Sequence, residues 1–70
     1  MTTETLGEAL PREMARVRDK ILPVYLTIGP GAMPAAAMMR WSLDNAAKAL
    51  AEGDVVAMIA ALQDLMGYEL

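Results

Sequence analysis

The stretch 10–28, LPREMARVRDKILPVYLTI, decides the fold. Its apolar positions Leu10, Met14, Val17, Ile21, Tyr25 and Ile28 step by four, three, four, four and three, the spacing that lines one side of an α-helix. Pro11 suits the first helical position, where a missing N–H costs nothing. Pro23 is the obstacle, because it removes a backbone donor and its ring crowds the carbonyl of Asp19. The stripe runs on through it, so the spacing predicts one kinked helix over 11–27.

On the N-terminal side, Thr5-Leu6-Gly7-Glu8 has the spacing of a capping box and can start a short turn. Few large apolar side chains lie there, and residues 1–9 are expected to be loose. On the other side, Gly29-Pro30-Gly31-Ala32-Met33-Pro34 breaks the helix, and Pro34 suits the first turn of a second one. That helix is predicted over 33–51, with Ala36, Leu43, Ala47 and Leu50 facing inward and Arg40, Asp44 and Lys48 able to pair along one edge. Glu52-Gly53-Asp54 punctuates the chain: Gly53 can take the left-handed conformation that ends a helix, and Asp54 can cap the next. A third helix is predicted over 55–66. The fold class is therefore all-α, a single small three-helix domain over 1–70.

The 70 residues hold sixteen Leu, Ile and Val against thirteen Ala and seven Met, with no Cys and no His. A chain this short buries only about 60% of its unfolded surface, and it has neither a disulfide nor a Cys or His metal site to staple it. Self-association is the remaining source of stability. The third helix points the same way, since Gln63 and Asp64 are its only polar side chains. A helix apolar around most of its perimeter must be covered around most of it. Val56, Met58 and Leu62 are candidates for cover by a partner chain, which makes the protein a homo-oligomer; a monomer with a slightly apolar surface is the alternative.

Composition argues against an enzyme, because zinc, haem, thiol nucleophiles and imidazole acid–base catalysis all need Cys or His. No cofactor is implied. The formal charge of −3 argues against binding DNA or RNA polymers. No apolar run reaches the roughly 20 residues of a membrane span, and no secretion signal is visible. These features read as a soluble cytoplasmic protein.

The loop Ile28 to Pro34 has the most functional character. Gly29 and Gly31 let backbone approach a ligand, Ala32 and Met33 precede the second helix, and the free N–H groups of a helix start favour phosphate. It lacks the Gly-Lys-Ser or Gly-Lys-Thr end of a P-loop and the strand of a dinucleotide fingerprint. Gly-Pro-Gly between helices is also an ordinary turn. Tyr25 and Arg18 lie seven residues apart on one side of the first helix, where an aromatic face and a guanidinium can stack on a base and hold its phosphate. Arg12, Arg16, Arg18 and Lys20 make this helix locally basic, although such a helix also simply faces solvent. Arg40, among Met38, Met39 and Trp41, is expected to reach an interface, a ligand or Asp44. Trp41 and the methionines read first as packing and second as an adaptable binding surface.

Four pieces of the chain carry a resemblance: Ile21-Leu22-Pro23-Val24-Tyr25, Ile28-Gly29-Pro30-Gly31-Ala32, Met38-Met39-Arg40, and Ala51-Glu52-Gly53-Asp54-Val55-Val56-Ala57-Met58. Together, over 12–68, they resemble short hypothetical proteins of tailed-phage genomes, and small helical phage proteins of this kind look like the oligomeric anti-CBASS sponges. The resemblance implies sequestration of a cyclic dinucleotide without cleavage, in the host cytoplasm. It implies Tyr25 for base stacking, Gly31, Ala32 and Met33 for close backbone approach, and Arg40 for phosphate; an aromatic residue is expected where Met33 stands. A protein-binding inhibitor of the anti-CRISPR kind and a structural oligomerisation module are the alternatives.

Overall fold

A computed structural model describes residues 3–70. The described chain is all helical. Helix α1 (Leu6–Arg16) runs through a π-helical turn at Val17–Ile21 into α2 (Leu22–Ile28); a 3-10 turn at Pro30–Ala32 leads into α3 (Met33–Glu52), and α4 (Val55–Met66) follows after a two-residue junction. The long second and the third helices match the expected 33–51 and 55–66 to within one residue. Met1 and Thr2, part of the segment expected to be loose, lie outside the described residues.

The first helix departs from expectation at its start and in its middle, while its end at Ile28 lies one residue beyond the expected 27. It begins at Leu6, so Pro11 sits inside it and 6–9 are ordered. The amides of Glu8 and Ala9 donate to the Thr5 carbonyl at 3.1 and 2.8 Å, while the Thr5 hydroxyl donates to the Glu8 carboxylate at 2.8 Å. The capping-box residues thus meet side chain to side chain, and Leu6 packs against the core.

In the middle, the kink expected at Pro23 is taken up one turn earlier. Leu22 N–H donates to the Val17 carbonyl, a five-residue hydrogen bond that widens the helix locally by one residue. Two consequences follow for packing. Ile21 and Leu22 are both buried although adjacent in sequence, because a π turn aims neighbouring residues at the same side. The stripe after the turn then runs Leu22, Tyr25, Gly29, so Ile28, expected inward, stands 65% exposed.

The core gathers Leu10, Val17, Ile21 and Leu22 from the first arm, Ala36, Met39, Ala46 and Ala49 from α3, and Met58, Ala61 and Leu65 from α4. Helix α3 is the spine: α2 lies along it, and α4 packs against both α3 and α1. Small residues let the helices approach closely, but Ala47, expected to face inward, is exposed, and Leu43 and Leu50 are only half-buried; Met39, Ser42, Ala46 and Ala49 hold the inward face instead. Gly53 has φ 65°, and the amides of Gly53 and Asp54 close α3 onto the carbonyls of Leu50 and Ala49 at 3.2 Å each. Asp54 accepts from the Ala57 amide at 3.2 Å and so caps α4.

The Cα atoms span 38 × 28 × 15 Å, with a radius of gyration of 12.6 Å. A compact chain of this length would have a radius near 11 Å. The helices form a thin slab, and a slab leaves much of each helix in water.

Candidate functional site

The segments expected to form a site lie along α2, the 3-10 turn and the start of α3. Gly29 turns the chain with φ 107°, a conformation that favours glycine. Ala32 N–H donates to the Gly29 carbonyl at 3.0 Å, and Met33 N–H donates to the Pro30 carbonyl. Pro30 and Pro34 have no N–H. The turn therefore uses internally most of the donors that an anion at this helix start would need, and the expected phosphate cradle is poorer than Gly-Pro-Gly implied. Gly31 is exposed, Ala32 is buried and Met33 is half in water.

Tyr25 is half-buried and packs against the core cluster. Arg18 lies exposed on the π turn, bound by both Asp19 oxygens at 2.8 and 3.0 Å. The Arg18 hydrogen bonds hold the Asp19 carboxyl below its ordinary range, and Asp19 in turn raises the guanidinium. Arg40 is exposed on α3, and among the described residues no carboxylate lies within 4 Å of it or of Lys48. The edge pairing expected of Arg40, Asp44 and Lys48 is not formed. An Arg one turn before an Asp is the less favourable orientation for such a pair.

The basic helix is largely spoken for. Arg12 makes three hydrogen bonds to Glu4 at 2.8 to 3.1 Å, and these hold the Glu4 carboxyl low. Arg16 reaches across the fold: its Nε donates to buried Glu13 at 2.7 Å, Nη1 to the Tyr68 carbonyl at 2.9 Å and Nη2 to the Leu65 carbonyl at 3.0 Å. A guanidinium here meets the negative end of α4. The Tyr68 hydroxyl and Ser42 share a hydrogen bond of 2.9 Å, tying the same segment to α3. These residues close the structure, and local sequence patterning had marked Arg16 only as part of a basic helix and had not singled out Ser42 or Tyr68.

A concave surface exists elsewhere. Between α3 and α4, near their junction, a groove of about 400 Å³ has Ala49, Ala57, Ala60 and Ala61 as its floor and Trp41, Asn45, Lys48, Glu52 and Asp64 around it. Its volume falls in the range of small-molecule sites. Trp41, read first as packing, is 61% exposed here. The signal was legible, because Trp41, Asn45, Lys48 and Glu52 step by four, three and four and so share one side of α3. A second hollow of about 350 Å³ lies along α1 and the π turn beside Arg12, Arg16 and Lys20.

No family model, no curated protein and no solved structure matches this chain. No helix among the described residues is long and apolar enough to cross a membrane.

Proposed function

We propose that the chain is a non-catalytic binding protein that acts as a homo-oligomer and sequesters a cyclic dinucleotide without cleaving it, a phage device against host CBASS signalling in the host cytoplasm. The observation that carries the binding role is the apolar surface left in water: Ile28, Trp41 and Val56 are 65%, 61% and 79% exposed. Single exposed apolar residues are ordinary; this many on so small a chain mark a surface that works in contact with something.

The choice of ligand rests on the resemblance and on the edge of α2. Tyr25 presents a partly open ring beside the Gly29 turn, with Gly31, Ala32 and Met33 following and the cations Arg18 and Arg40 in water. Stacking on Tyr25 and charge from Arg40 would supply most of the affinity, with Arg18 recruited from its exposed Asp19 pair, which costs little to break. Calorimetry with a panel of cyclic di- and trinucleotides tests this. Binding tighter than about 100 μM is expected, with Tyr25→Ala weakening it by about 1 to 3 kcal/mol. No binding at that level removes the sponge reading.

The protein-binding inhibitor is the second reading, favoured by one observation. The groove at Trp41 has an apolar floor and carries Glu52 and Asp64 against Lys48, a lining better suited to a polypeptide than to a dianion. Trp41 is the single tryptophan, so its emission separates the two: nucleotide at Tyr25 leaves it unchanged, whereas a protein seated in the groove shifts it to the blue.

A further inference from the structure

We propose that the groove between α3 and α4 receives an arginine side chain of a partner polypeptide, its guanidinium held between the Trp41 ring and the Asp64 carboxylate. The inference rests on the second reading, in which this groove meets a polypeptide, and names the side chain it takes. Trp41 and Asn45 lie one turn apart on α3, and Asp64 lines the same hollow from α4. Asn45 and Trp41 stand eight and twelve residues before Gly53, and Asp64 stands ten after Asp54, so helices folded back at that junction bring the three to one level. Together they offer a planar cation a ring to stack on and a carboxylate and an amide oxygen to receive its N–H groups.

Charge gives the occupant its sign. Both carboxylates of the groove sit where a helix is already negative, Glu52 as the last residue of α3 and Asp64 in the last turn of α4, and neither helix has a basic residue in its last turn. Among the described residues no cation lies within 4 Å of either. A carboxylate placed there works against the helix dipole, and an incoming cation relieves it. Arg16, which closes the end of α4, is engaged with Glu13 and the carbonyls of Leu65 and Tyr68. Lys48 is the one cation lining the groove, seven residues from Trp41 and so about 10 Å along α3. It meets the other end of the ligand, where an arginine carries its backbone carbonyl beyond an apolar stem, and the alanine floor suits that stem. A polyamine would bring a second charge against Lys48, and an anionic nucleotide would meet Glu52 and Asp64.

The test follows the single indole N–H resonance of Trp41 and the side-chain amide of Asn45 by NMR. Three probes are titrated: acetyl-alanyl-arginyl-alanine amide, the same peptide with neutral citrulline for arginine, and free L-arginine. Saturable shifts of both resonances are expected with the arginine peptide, at roughly millimolar strength for one side chain, weakening as salt rises. Asp64→Asn should weaken binding by about threefold or more, and Trp41→Leu, read at Asn45, by about two- to fivefold. Asp19→Asn, on the π turn, should leave it unchanged. Trp41 and Asp64 are both exposed, and circular dichroism confirms that their variants are folded. Citrulline peptide binding as tightly as arginine peptide overturns arginine recognition while the groove stands as a polypeptide site. Binding of free L-arginine without the peptide keeps the arginine site and overturns its polypeptide source. No shift with either arginine probe at about 20 mM overturns the site itself.

Discussion

Where α1 meets α4, polar side chains tie the helices together: Glu13 is buried, Arg16 bridges it to the carbonyls that end α4, and Tyr68 reaches Ser42 on α3. Where α2 meets the start of α3, the contact is Leu22 and Tyr25 against the cluster of Ala36 and Met39, while Val24, Leu26, Ile28 and Met33 stand in water. The two regions have similar helix content and opposite economies. The first satisfies its buried polar groups internally, and among the described residues no buried side-chain nitrogen or oxygen lacks a partner. The second keeps apolar side chains outside, which is a poor way to stabilise a fold and a good way to meet another surface.

The comparison predicts where substitutions hurt. Leu65 is fully buried at the clasped end, and Leu65→Ala should cost about 2 to 5 kcal/mol by chemical denaturation. Next comes Arg16→Met, which keeps the apolar stem but leaves the buried Glu13 carboxylate with only Arg12 at 3.7 Å and takes the guanidinium from the carbonyls of Tyr68 and Leu65, the second of which keeps the Tyr68 amide. Because Arg16 is 30% exposed, the loss should be about 2 to 3 kcal/mol, below that of a wholly buried pair. At the open end, Ile28→Ser should change stability by less than about 0.5 kcal/mol in the same assay. A loss equal to that of Leu65→Ala would show that α2 is as tightly held as α4. The smallest effect concerns acid. Asp19 is held low by its hydrogen bonds from Arg18, so its contribution is present above the ordinary carboxylate range and is lost as pH falls through the lowered value. Carboxyl NMR titration should find Asp19 below its ordinary range and Arg18→Gln should return it there.

Legibility followed the range of the interactions. The Gly53-Asp54 junction was readable because its chemistry lies within nine residues, from the Ala49 carbonyl to the Ala57 amide. Pro23 announced that the first helix had to yield but not where, since the position of the extra residue depends on which side chains α3 will accept. Ile28 was misplaced for that reason alone. Arg16 resembled any solvated cation, because two of its acceptors lie 49 and 52 residues away. The site reading suffered similarly at the Gly29 turn: glycines and prolines marked a tight turn, and only the backbone bonds of Ala32 and Met33 show that its donors are used within it.

The π turn at Val17–Ile21 lets chain length vary without changing which faces meet. Leu22 closes onto Val17 where an unbroken α-helix would place the residue before it, so deleting one exposed residue from the turn would restore α-helical bonding and leave α2 facing as it does. Tightening the turn with every residue kept would instead swing α2 by about 100° relative to α1, bringing Ile28 under cover and taking Leu22 out of it. The arrangement of faces is thus tolerant of a lost codon at this turn and intolerant of one in the helices that flank it.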